Sequence, residues 1–140
     1  MKNNNKGFTL IELLAVIVVL AIIIIIVSVN VLSILNTSKE NTFKIYAERV
    51  LTKSEEALLE KTIDKNNSQG KYPISHFGFK NTGKYTGCVV VDSSNKPILY
   101  LTDGYYSYKG VSFSDVEKNH STHLYTTASD VQAVNDYCES

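Results

Sequence analysis

Glycine and proline are scarce in this chain, and neither occurs between Phe8 and Gln69. Both break helices, so their absence leaves the first half of the chain without a stop signal and predicts one unbroken helix. Charge is missing too: after Glu12 none appears until Lys39. That excludes an ordinary surface helix, which carries a polar face along its whole length. Leu13–Val27 is instead fifteen apolar residues in a row, interrupted only afterwards by Ser28, Asn30 and Ser33. As a helix, Leu13–Leu35 spans about 35 Å, enough to cross a hydrocarbon core with some tilt. Ile and Val are mediocre helix formers in water. In lipid, however, backbone groups have no water to bond, and a helix is imposed regardless.

Other absences narrow the function. Fourteen basic and fourteen acidic residues cancel, so no basic surplus argues for nucleic acid as a main ligand. There is no G-x-S-x-G, no glycine-rich phosphate loop and no H-E-x-x-H, and no catalytic set stands out. The expectation is a protein that is not an enzyme, with no cofactor and no metal. A Cys–His pair can be drawn from Cys88 and any histidine, as in many exported proteins. His120 and His123 form H-x-x-H, a spacing that can hold a metal on a helix. Yet "EKNHSTH" reads as a solvated loop, and no further Cys or His is near it in sequence. His76 stands alone, and no internal repeat is evident.

What is present has a clear order. "MKNNNKG" (residues 1–7) is short, polar and basic and reads as a leader. Lys2 and Lys6 precede the apolar run, which places the N-terminus in the cytoplasm and the remainder outside. After Leu35, Phe43, Tyr46, Ala47, Val50, Ala57 and Leu58 recur at helical spacing between charges. Glu40–Lys44 and Lys44–Glu48 are i,i+4 pairs suited to an exposed flank. The membrane helix (8–35) therefore continues as an amphipathic helix (36–66), to about Asp64. "NNSQGKYP" stops it at Gly70 and Pro73.

Residues 67–140 read as a β-rich head. "GCVVV" (Gly87–Val91) and "PILYL" (Pro97–Leu101) make a hairpin candidate across "DSSNK". "TDG" turns into a third strand, "YYSYKGVSF", and "HLYTT" (His123–Thr127) is a candidate fourth. Ser129 and Gln132 have capping-box spacing, and Val131, Val134 and Cys138 share a face of a short terminal helix. Tyr100, Tyr105, Tyr106 and Tyr108 crowd together; such tyrosines half-bury in a sheet more often than they form a ligand site. Three or four short strands cannot bury both faces alone, and the amphipathic helix is the evident cover. The expected fold is α+β: a long helical stick, half in lipid, packed on a small antiparallel sheet, like a lollipop. Cys88 and Cys138 are the only cysteines. Outside the cytoplasm they can pair, or they remain two reduced, partly buried thiols.

One acid, Glu12, stands inside "KGFTLIELL" (Lys6–Leu14). A charge at the centre of a membrane helix costs roughly 2.5–3.5 kcal/mol, less near the lipid surface. The short basic leader, the glycine, the Phe, "TLIELL" and the apolar run together resemble the type IV pilin family, including pseudopilins of type II secretion and competence systems. The specific likeness covers about Lys6–Val27, and the overall layout extends it to the whole chain. It implies cleavage between Gly7 and Phe8 by a prepilin peptidase and N-methylation of Phe8. It also implies assembly in which Glu12 faces the Phe8 amine of a neighbouring subunit, with Thr9 adding a hydrogen bond. Pairing makes the acid much cheaper to bury, and subunits docked out of register leave it unsatisfied. The implied partners are other copies and other pilins, the peptidase, an assembly ATPase, a platform protein and, before assembly, membrane lipid. The implied location is the cytoplasmic membrane first and a surface pilus afterwards. A staple joining Cys88 and Cys138 fits the family's habit. Many pilins carry a glycine or proline partway down this helix; here Ser28, Val29 and Asn30 stand near that region. A cleaved signal peptide would have a shorter run and a small-residue site after it. A plain signal anchor explains the apolar run but neither Glu12 nor "KGF". Within the family, a type IV pilus subunit is the first reading and a secretion pseudopilin the second; a membrane-anchored binding module that never polymerises is the rival from another class.

Overall fold

A computed structural model describes residues 7–64, 70–80 and 83–140, without the side chains of Val29, Asn30 and Asn119. The expected leader, apart from Gly7, and the Asn66–Gln69 part of the expected helix stop lie outside the described residues. The fold is α+β. Helix α1 (Leu10–Leu59) is followed by β1 (Lys71–Pro73), a 3-10 turn (Ile74–Phe77), β2 (Thr86–Val91), β3 (Pro97–Thr102) and β4 (Ser107–Val111). Helix α2 (Phe113–His123), β5 (Leu124–Tyr125) and α3 (Ala128–Glu139) complete it. The five strands form one antiparallel sheet in chain order, β1-β2-β3-β4-β5. The chain divides into two compact units, Met1–Lys39 and Glu40–Ser140.

In the first unit α1 is helical through Ser28–Asn30. Serine and threonine hydroxyls there turn back onto the helix: Ser28 Oγ donates to the Ile24 carbonyl at 2.6 Å and Thr37 Oγ1 to that of Ser33 at 3.1 Å. This is how such residues satisfy themselves in an apolar setting.

In the second unit the rest of α1 lies across one face of the sheet. Phe43, Ala47, Val50 and Leu51 pack with Val89, Leu99, Leu101, Tyr108 and Val111 in a single buried cluster. The sheet side of that cluster follows from the register, Val89 opposite Leu99, Leu99 opposite Val111 and Leu101 opposite Tyr108, because alternate side chains share a face. The alternate set, Cys88, Tyr100 and Lys109, points the other way and meets α3. Tyr100 stacks on Tyr137 at 4.0 Å, Lys109 Nζ lies 2.6 Å from Asp130 Oδ1, and Cys88 is bonded to Cys138 (S–S 2.05 Å). Both faces of the sheet are therefore covered, one by α1 and one by α3.

Six elements differ from the sequence reading. Helix α1 ends at Leu59, short of Asp64. Lys61 takes φ 57°, the Lys61 N–H donates to the Leu58 carbonyl and the Thr62 N–H to that of Ala57. This is a Schellman ending with lysine where glycine is usual, and it turns Ile63, 2% exposed, down onto Ala57, Tyr72 and Val91. Strand β1 was not expected, since Pro73 reads as a breaker; it stands at the end of an edge strand, where proline is tolerated. The third strand stops at Val111, and "EKNHSTH" belongs to a helix rather than a loop. Ser112 caps α2, its hydroxyl accepting from the Asp115 N–H while the Asp115 carboxylate accepts from the Ser112 N–H. The expected fourth strand shrinks to Leu124–Tyr125. Finally, α3 is capped by Thr127, which accepts from the Asp130 N–H, two residues before the expected Ser129.

The crowded tyrosines divide by face. Tyr108 is fully buried and Tyr106 is 6% exposed, whereas Tyr105, on the β3–β4 turn, is 62% exposed. Burial pushes the Tyr108 phenol far above its ordinary range, with Glu40 and Glu48 adding to the shift.

Candidate processing and assembly site

The site begins at the N-terminal end of α1. The Leu13 N–H donates to the Thr9 carbonyl at 3.1 Å, which makes Thr9 the cap of the helix. The Thr9 hydroxyl accepts from the Glu12 N–H at 3.3 Å, and Glu12 Oε2 accepts from the Thr9 N–H at 2.9 Å. Threonine and glutamate three apart thus satisfy each other's backbone reciprocally, as a capping box. The acid also sits in the first turn, where the helix dipole favours negative charge. The sequence reading gave Glu12 and Thr9 an assembly role as the resemblance implies and missed this local partnership, although the T-x-x-E spacing was there to signal it.

Around this end the side chains are bare. Phe8 is 87% exposed and Leu10 86%. The following helix is apolar on all sides, with a mean hydropathy of 3.5 over its best 18-residue window and none of that window buried. A helix apolar all round belongs inside a lipid bilayer or a packed assembly. Among the described residues, nothing within 4 Å would meet a side chain added at Gly7. Residues 2–28 match the family model of the prokaryotic N-terminal methylation motif.

Residues 2–28 carry the N-terminal signature found in type IV pilins and pseudopilins. The motif supports placing it among type IV pilins or pseudopilins, a structural class, and implies processing by prepilin peptidase and assembly with other pilins. With the apolar helix, it fits membrane anchoring before assembly. No curated protein and no solved structure matches the chain.

The other sequence candidates fall elsewhere. His120 and His123 share α2, but each has a partner. His120 Nε2 lies 3.1 Å from Glu40 Oε1 and its Nδ1 3.1 Å from the Tyr108 hydroxyl. With a neutral ring, Glu40 can only accept, so Nε2 carries the proton and Nδ1 accepts from the buried tyrosine. His123 Nε2 lies 3.8 Å from Asp115 Oδ1. Lys44 pairs with Glu48 at 3.8 Å, while Glu40 turns to His120 instead of Lys44. Among the described residues, no group of three or more His, Cys, Asp or Glu is arranged to hold a metal.

Proposed function

We propose that this chain is a structural subunit of a type IV pilus. It is made as a prepilin with residues 1–7 as leader, cut between Gly7 and Phe8, methylated on the Phe8 amine, and polymerised into a surface filament. Before assembly it spans the cytoplasmic membrane once, N-terminus inside; the helix over 8–35 then becomes the filament core. In that core Glu12 meets the Phe8 amine of the next subunit, with Thr9 beside it, and burial of the pair sets the register. Fibres of this kind serve adhesion, surface motility, aggregation or DNA uptake. An assembly ATPase and a platform protein drive the polymerisation.

The observation that carries this reading is a single charge, held at the first turn of α1, where the large apolar side chains from Leu10 to Val27 are bare on every side. A lipid anchor alone needs the apolar surface and would use the acid only as a helix cap. Mass spectrometry of sheared, purified filaments tests it: the expected chain begins at Phe8 with one added methyl group. A surface chain that still carries "MKNNNKG" contradicts the reading. Gly7→Val is expected to leave uncut precursor in the membrane, and a normal mature mass in that variant would refute the cleavage site. The same motif serves secretion pseudopilins. Abundance decides between them, since a pilus subunit dominates sheared fibres and a pseudopilin does not.

A further inference from the structure

The two flanks of α1 in the second unit carry opposite chemistry. On one side α1 meets α2. There Lys44 Nζ donates to the Glu117 carbonyl at 3.4 Å and Glu40 pairs with His120. Glu40, Glu48 and Glu117 stand on this side with Lys44 and Lys118, and the first two push the Tyr108 phenol upward. The Glu117 side chain itself is exposed. On the opposite side Tyr46 stacks on Tyr85 at 3.8 Å and takes Phe79 edge-on at 5.4 Å. Lys84 Nζ lies over the Tyr85 ring at 5.3 Å. Arg49 is exposed and near enough to Tyr46 to offset part of the rise in its phenol's pKa, which burial dominates. Among the described residues, neither Arg49 nor Lys84 joins an ion pair.

One flank is thus acidic and the other is an aromatic shelf edged with uncompensated cations. At about 100° per residue, Tyr46 and Arg49 are centred on the opposite side of α1 from Glu40, Lys44 and Glu48. Two different, complementary surfaces on one body make a heterologous contact. Such a contact does not close on itself and propagates as a ring or an open helix.

The geometry points to a lateral docking surface for a second copy of this chain: the Tyr46–Tyr85 shelf with Arg49 and Lys84 receives the α2 flank of the neighbouring subunit, Arg49 against Glu117. The Arg fork suits a carboxylate in two-pronged contact. This contact rests on the filament reading and adds to it a specific joint between heads, apart from the joint at Glu12.

The test is charge exchange in the full chain, followed by incorporation into sheared fibres. Arg49→Glu and Glu117→Lys each change an exposed side chain, and each is expected to lower fibre content at least tenfold. The mature N-terminus at Phe8 and the Cys88–Cys138 bond should stay intact in both. The double variant is expected to recover most of the wild-type content, because the exchanged charges meet again. Normal fibres from Arg49→Glu alone would overturn the contact, and so would failure of the double variant to recover. If the unaltered chain is absent from fibres, the filament reading falls and takes this contact with it.

Discussion

Glu12 accepts the Thr9 N–H of its own chain, so the carboxylate has a local task before any partner arrives. That gives a rival account of why an acid stands in an apolar run, and the two accounts separate on one substitution. Glu12→Gln keeps an acceptor at the right distance for the capping box and removes only the charge. If the charge pairs with a neighbour's amine, Gln should be cleaved normally yet enter fibres poorly; fibres at wild-type level with Gln would reduce Glu12 to a helix cap. Two further acids are tuned in the head. The Ser112 hydroxyl and N–H hold the Asp115 carboxyl below the ordinary carboxylate range, and Lys109 with Thr127 does the same for Asp130. Lys109 is raised in turn, chiefly by its bond to Asp130. A lowered acid stabilises the fold above its unfolded pKa, near 3.9, and loses that contribution as pH falls through the folded value. A raised lysine stabilises below its unfolded pKa, near 10.4, and loses it as pH climbs past the folded one. The melting temperature is therefore expected to hold between these limits and to drop below about pH 4. Asp115→Asn should lower the plateau and make the acid-side fall shallower, which thermal melts across pH will check.

At the scale of elements, the ends of helices were the least legible part of the sequence. A lysine in the left-handed position carries no signal, because only the apolar seat for Ile63 under Tyr72 and Val91 makes that turn worthwhile. Lys61→Gly removes the strain of a side chain at φ 57° and is expected to raise stability by about 0.5–1 kcal/mol, after its own entropic cost, in denaturant titration. Strand β1 was hidden for a like reason: three residues ending in proline become a strand only when β2 offers Val90, Val89 and Cys88 as partners. The S-x-x-D spacing before α2 was readable, and a run of polar residues after it masked the helix. Ser112→Ala should cost about 1 kcal/mol. By contrast the β2–β3 hairpin was plain in its β-branched runs. Its tightest point is Gly87, where an added Cβ would sit 2.2 Å from the Tyr100 carbonyl oxygen. Gly87→Ala is expected to force the strands apart and to destabilise the head more than any of these changes.

For the whole molecule, the disulfide is the long-range constraint. It spans 50 residues of sequence and ties α3 to the sheet face that α1 does not cover. In the chain-entropy picture, closing a loop of that size stabilises by at most about 4 kcal/mol. Reducing the full chain in detergent should lower the unfolding midpoint of Glu40–Ser140 and loosen α3 first. That helix has one fully buried apolar side chain, Val134, and its remaining attachments are polar bonds and a tyrosine stack. Hydrogen exchange along α3, with and without reductant, measures this directly.

The amino-acid sequence by itself determined the apolar helix, its processing motif, the acid at its first turn and the α+β character of the rest. These depend on composition and spacing within a few residues, where helix and strand periods and the lipid's refusal of bare backbone leave little choice. Tertiary structure decided where α1 stops, that β1 and α2 exist, which sheet face α3 covers, and that Glu40 is held by His120 instead of its helical neighbour. Those outcomes rest on contacts between residues tens of positions apart, whose energies exist only after the sheet has brought them together.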